Sequence, residues 1–184
     1  KPLRTALTAV SIGVALFLFC FLEAVLDAFN VGVNMASASR LVVQHKESLT
    51  FSLPIAYRST LEQAPGVTAA VPMVWFGGWY QPKDETGELK EEMFAQFACD
   101  LENHHRIFKE MLVPHEQFEP LMADRLGCML GDKTAERLGI HLGDRIVLRG
   151  TIWSKPGNAP WEFTVRAIYT SASPTFDRTV MFFH

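Results

Sequence analysis

The chain has 184 residues, 48% of them hydrophobic, and a formal net charge of -3. That length admits one domain, or two small lobes, with a real core. The weak charge supplies no global field to steer the chain toward nucleic acid or anionic lipid, and no nucleic-acid partner is expected.

Lys1 and Arg4 precede an uncharged run from Thr5 to Leu22. Counted from Ala6 to Leu26, the apolar stretch would make about 31 Å of helix, matching a hydrocarbon core of roughly 30 Å. Glu23 breaks the run only near its far end, and the hydroxyls of Thr8 and Ser11 can bond back to helix carbonyls. A cleaved signal peptide is the main rival, with Ala36-Ser37-Ala38 as its cleavage site. That site lies far beyond the apolar run, with Glu23 and Asp27 between. A buried core helix is the other rival. A membrane span is the preferred reading, and the lipid membrane is therefore an expected partner. Positive residues stay on the cytoplasmic side, so the N-terminus is expected in the cytoplasm and everything after about Ala28 outside, in the periplasmic or extracytoplasmic space.

The helix is expected to continue past the membrane. Leu22, Val25, Leu26, Phe29 and Val33 keep helical spacing, with Glu23, Asp27, Asn30 and Asn34 on another face. This predicts a stalk with one stripe that packs on its own domain, or on another span or subunit. Residues 1–39 are assigned to span and stalk, and 40–184 to an extracytoplasmic domain of α+β class.

Within that domain, Arg40 to His45 reads as a strand. Pro54 to Ala64 reads as a short helix stopped by Pro65-Gly66. Val67 to Tyr80 reads as a strand bent at Gly77-Gly78. Lys83 to Glu91 is a turn, and Glu92 to Asp100 a return strand. Leu101 to Pro114 shows no clear pattern. Glu116 to Arg125 is a helix with Phe118, Leu121 and Met122 on one face. Cys128 to Leu130 is a short buried strand, after which Asp132 is placed to cap a helix that Gly139 stops. Leu142-Gly143-Asp144 turns into the strand Arg145 to Arg149, and Lys155 to Pro160 is a loop. Trp161, Phe163, Val165, Ala167 and Tyr169 alternate as on a half-buried strand. Thr179 to Phe183 is a last strand.

Several of these pieces resemble a known family. Leu130-Gly131-Asp132, Ala135 with Leu138-Gly139, and Gly143-Asp144 with Ile146 and Leu148 are similar to the strand, short helix and strand of MacB/FtsX-type ABC-transporter permeases. Phe163, Val165 and Ile168 resemble the family's next strand, with Ala167 where the family usually has Gly. Leu61, Ala64, Pro65, Gly66 and Val67 resemble the segment ahead of its first long strand, and Arg4 to Ala15 its first span. The stretch Lys83 to Arg125 matches least. The resemblance implies a MacB-like periplasmic core domain behind the first span, cut before the next one. It implies a permease subunit in the cytoplasmic (inner) membrane that pairs with a second permease subunit, as a homodimer or heterodimer. It also implies a cytoplasmic ABC ATPase subunit or domain whose hydrolysis drives export, extraction or other work outside the membrane. A periplasmic adaptor or an outer-membrane protein is a further candidate partner. The alternative is a single-span, membrane-anchored binding or sensor protein. An anchored hydrolase is third.

No residue is singled out as catalytic, cofactor-binding or metal-binding, and no cofactor is expected. Gly127, Gly131, Asp132, Lys133 and Thr134 look like a phosphate loop, but the spacing is one residue short and Asp132 puts a negative charge where phosphate would sit. His104, His105 and His115 have no metal-ligand spacing and read as residues of a surface loop. No nucleophile elbow and no Cys/His pairing is present. Cys99 and Cys128 lie where a disulfide could persist, with buried free thiols as the competing outcome, while Cys20 lies in the span. Trp75, Phe76, Trp79 and Tyr80 read as sheet core, or else as a groove for a substrate or partner.

Overall fold

The computed structural model describes residues 2–35, 40–48, 51–82, 87 and 90–184, leaving out the side chains of Thr5 and of residues 28–35. Two compact units divide after Val43. The first holds α1 (Pro2–Met35), one unbroken helix of 34 residues, about 51 Å long. Its continuation past Leu26 follows the stalk expectation. The side chains of Phe29, Asn30, Val33 and Asn34, and the candidate cleavage site Ala36-Ser37-Ala38, lie outside the described set.

The second unit is α+β. Its strands are β1 (Met73–Trp75), β2 (Gly78–Tyr80), β3 (Gln96–Cys99), β4 (Met111–Leu112), β5 (Gly127–Gly131), β6 (Arg145–Gly150), β7 (Trp161–Ser171) and β8 (Met181–Phe183). Its helices are α2 (Tyr57–Glu62), α3 (Leu101–Ile107), α4 (His115–Ala123) and α5 (Asp132–Leu138). The strands run β1-β3-β8-β5-β7-β6-β2 across the sheet, and β4 adds to β7.

That order forces a curl. β1 and β2 stand at opposite ends of it, six steps apart, which in a flat sheet would separate them by about 29 Å. Yet only Phe76 and Gly77 lie between them, a chain length of roughly 10 Å. The sheet therefore bends until its two ends meet. The meeting point is the hairpin between 73–80 and 92–99, as the sequence predicts, with one register running from Met73 opposite Cys99 to the bridge between Tyr80 and Glu92. The expected bend is present at Gly77, which has φ 64°. Lys83–Glu91, the expected turn, lies largely outside the described residues; the Lys90 amide closes onto the Pro82 carbonyl at 3.0 Å.

Gln96 seals the junction. Its side chain is fully buried, its Oε1 accepts from the Gly78 amide at 2.7 Å, and its Nε2 donates to the Gly78 carbonyl at 3.0 Å. The carboxamide thus imitates a strand's backbone where no strand continues. Gln96→Leu would bury both Gly78 groups without partners, costing about 3 kcal/mol or more at 1–3 kcal/mol per group. Urea unfolding should show a lower midpoint with the slope unchanged. An unaltered midpoint would mean that the seal adds nothing.

Two cores result. The first contains Phe76, Phe94, Cys128, Leu130, Ile146, Leu148, Phe163, Val165, Met181 and Phe183, with α5 contributing Ala135. The second contains Cys99, Leu101, Met111, Leu121, Met129, Ala167, Tyr169, Val180 and Phe182, drawing on α3 and α4. β7 serves both. Residues Phe163, Val165, Ala167 and Tyr169 are buried, in line with the predicted alternation. The pairing with β5 then skips from Val165 to Ala167, opposite Cys128 and Met129, leaving Arg166 as the extra residue. A residue inserted into a period-two pattern reverses the faces. Phe163 and Val165 accordingly fill the first core, while Ala167 and Tyr169 fill the second.

Four expectations are corrected. Arg40–His45 forms no strand, and Leu41 is 89% exposed. β-Branched residues favour a pleated surface only when neighbours cover it, and among the described residues no strand pairs with this segment. The strand predicted from Val67 begins only at Met73, because Pro72 offers no N–H to a ladder. The unpatterned stretch from Leu101 contains α3 and β4. Finally, Asp132 does not cap α5: Gly131 holds the cap position, and the Asp132 carboxylate accepts from Arg178 at 2.8 Å. Gly139 does end that helix, at φ 63°, and Gly143 makes the predicted turn at φ 91°.

Candidate functional site: a membrane-length helix and a separate α+β domain

The feature that sets this chain apart is the surface of α1. Residues Pro2–Asp27 reach a mean hydropathy of 2.4, and none of that window is buried. Leu16, Phe17, Leu18 and Phe19 are consecutive and all more than half exposed. At 3.6 residues per turn they point to every side. A helix that is apolar all round belongs in a core or in lipid, and here no core covers it. Single exposed apolar side chains are ordinary on soluble surfaces, but a continuous column of them is not. The hydroxyls of Thr8 and Ser11 are internally satisfied. Thr8 Oγ1 donates to the Arg4 carbonyl and Ser11 Oγ to that of Leu7, each at 2.9 Å, as the sequence reading expects. This helix is long and apolar enough to cross a membrane.

The domain places the other candidates as follows. Gly127 and Gly131 are not in a loop but bound β5, and the Gly131 amide is spent on the Val180 carbonyl at 3.0 Å. The Asp132 carboxylate, paired to Arg178, puts a negative charge at the start of α5, where a phosphate would sit. The histidines are not together on a surface loop. His104 lies inside α3, 1% exposed, with its ring 4.3 Å from that of Phe108 and 4.4 Å from that of Phe182. His105 packs against Phe118, and His115 is exposed at the start of α4. Among the described residues, no group of three or more His, Cys, Asp or Glu is placed to hold a metal.

α3 itself is held by Asp100. Its carboxylate accepts from the Asn103 amide N–H at 3.2 Å and side chain at 2.7 Å, and pairs with Arg58 of α2 at 3.2 Å. The Asn103 side-chain bond, then the Asn103 backbone bond and Arg58, hold this carboxyl below its ordinary range. The sequence carried a signal for this helix. Asp100 stands at a cap position, and Leu101, His104 and Phe108 follow at helical spacing.

Cys99 and Cys128 are both free. β8 lies between their strands, and they belong to different cores on the two faces of the sheet. Strands two steps apart are about 9.6 Å from each other, beyond the reach of a disulfide. Burial pushes the Cys99 thiol up to about 12 and also raises that of Cys128. Because the thiolate is the reactive form, a Cys20→Ser protein should contain no fast-reacting thiol until denaturant is added. Rapid labelling of the folded protein would show that a core opens.

Phe76 is the hub of the first core, edge-on to Trp161, Phe163 and Phe183. Trp75, Trp79 and Tyr80 are half-buried, with Tyr80 packed on this core and Trp75 edge-on to Phe97. A shallow groove between α4 and the 142–143 turn is lined by Gln117, Pro120, Leu142, Gly143 and Arg166. Its charged lining residues are Glu116 and Arg166, and Arg166 is already paired with Asp124 at 2.8 Å.

No family model matches the chain, and no curated protein matches it. Among solved structures, a domain of a protein described as a permease, from Porphyromonas gingivalis, is similar to it at 14% identity and a TM-score of 0.43. The match covers 68% of this chain and 54% of that one, so the chain spans about half the length of its structural neighbour.

Proposed function

We propose that this chain is the first span and outer domain of a MacB/FtsX-type ABC-transporter permease subunit. The observation that carries this reading is the pairing of an uncovered, membrane-length helix with a separate compact α+β unit. The resemblance motifs support it by falling on matching elements. Leu130-Gly131 ends β5, Ala135 to Gly139 forms α5 and its stop, and Gly143-Asp144 turns into β6.

In this reading Lys1 and Arg4 hold the N-terminus in the cytoplasm, and the domain works outside the inner membrane. A cytoplasmic ABC ATPase and a second permease subunit complete the transporter. The chain supplies no chemistry of its own. It converts nucleotide-driven motion into displacement of the outer domain.

The test is isolation of the full-length protein from its native membrane in mild detergent. An ATP-hydrolysing ABC subunit should co-purify in fixed ratio. Recovery of a pure single-span protein with no nucleotide-hydrolysing companion would favour the anchored binding or sensor protein instead.

A further inference from the structure

The chain has four tryptophans, Trp75, Trp79, Trp153 and Trp161. They gather at one corner of the domain, where β1, β2, β6 and β7 converge. The loop after β6 is clamped there. Trp153 Nε1 donates to the Trp75 carbonyl at 3.0 Å, Trp161 Nε1 donates to the Trp153 carbonyl at 2.7 Å, and Thr151 Oγ1 donates to the Gly77 carbonyl. Gly150 is obligatory in the same turn, since a Cβ would stand 2.2 Å from the Trp153 carbonyl oxygen. What this rigid loop presents outward is Ile152, 48% exposed, and Trp153, 44% exposed. Lys155 follows, its ammonium 4.5 Å over the Trp161 ring.

Two adjacent apolar side chains held in place by these bonds form a small exposed patch of fixed shape. The Trp153 N–H is committed to the β1 backbone and the Trp161 N–H to the loop backbone, so they offer a partner protein no donors for specific recognition. What remains is a branched aliphatic group and an indole ring, with a cation beside them. That combination suits the headgroup level of a bilayer, where rings and alkyl groups enter the acyl boundary and an ammonium meets phosphate. The domain shares its chain with a helix of membrane length, so a bilayer is present at high effective concentration and a weak contact suffices.

We propose that the Ile152–Trp153 loop tip is an interfacial foot that inserts among the phospholipid headgroups of the membrane crossed by α1. This rests on reading α1 as a span, and the two can be tested apart.

The 184-residue chain would be reconstituted in phosphatidylcholine–phosphatidylglycerol vesicles whose acyl chains are brominated or not. Bromine quenches nearby indoles, and α1 contains no tryptophan, so all emission comes from the domain. The expected result is weaker emission in brominated vesicles. Ile152→Asp keeps all four indoles and should abolish the difference, with Ile152→Ser as a milder variant and near-ultraviolet dichroism to confirm folding. Protection of Cys20 from a water-soluble maleimide reports α1 insertion separately. Protected Cys20 with equal emission in both vesicles overturns the foot alone. A blue shift that grows with protein density, without bromine quenching, overturns it in favour of contact between copies. Quenching that persists in folded Ile152→Asp and Ile152→Ser also overturns it, and an accessible Cys20 overturns the span and the foot together.

Discussion

Replacing Gly131 by alanine is expected to cost the outer domain about 3 kcal/mol or more, at the upper end of overpacking changes. The cost is steric. Gly131 has φ -68° and ψ 140°, a conformation open to any residue. Its added Cβ would lie 2.0 Å from the Arg178 carbonyl oxygen and 2.3 Å from the carbonyl carbon. Both are backbone atoms and cannot rotate away. Either β5 or the 178–180 segment must move, and the bond from the Gly131 amide to Val180 is then lost. Gly139 is the control. It has φ 63° but nothing within 4 Å of its would-be Cβ, so Gly139→Ala should cost only about 1 kcal/mol through backbone strain. The comparison is made by urea unfolding of a fragment beginning at Gln44. That fragment contains both cores and is expected to fold without detergent. With total stabilities of about 5–15 kcal/mol, Gly131→Ala should remove a large share of the fragment's stability. Equal midpoints for the two variants would contradict the close approach.

The second large effect is expected in the helix. Ala28 lies inside α1, whose backbone runs unbroken to Met35. Proline there removes one ladder bond and clashes with the preceding turn, at about 3 kcal/mol or more. The proposed function requires α1 to carry displacement along its axis, which an intact ladder does and a kinked one does not. Ala28→Pro should therefore leave ATP hydrolysis and the folded domain in place while abolishing nucleotide-driven movement outside. Ala28→Leu changes the side chain but not the ladder, and should retain the movement. A probe on Leu142→Cys, an exposed turn position, reads it. Equal responses in the proline and leucine variants would reduce α1 to a passive tether.

The region from Gly127 to Tyr169 was legible because its signals are local. Gly139 and Gly143 each need a positive φ, and the apolar residues between them keep a simple period. α1 was legible for the same reason, its apolar run being continuous. Elsewhere the deciding contacts are remote in sequence. Nothing near Gln96 announces that its carboxamide will pair with Gly78 and close the sheet. Nothing around Arg166 marks the extra residue that turns Ala167 and Tyr169 to the opposite face from Val165. Arg40–His45 has the propensity of a strand but no neighbour to satisfy it, and the burial of His104 depends on Phe108 and Phe182, which come from two different elements.

The central claim is that nucleotide turnover in the cytoplasm moves the domain that follows α1. It is tested most directly in the assembled, membrane-reconstituted transporter carrying a fluorophore at Leu142→Cys. Trapping the ATPase with ATP and vanadate should change the probe's signal, and release to ADP should reverse it. An ATPase that turns over normally while the probe stays constant would contradict the account.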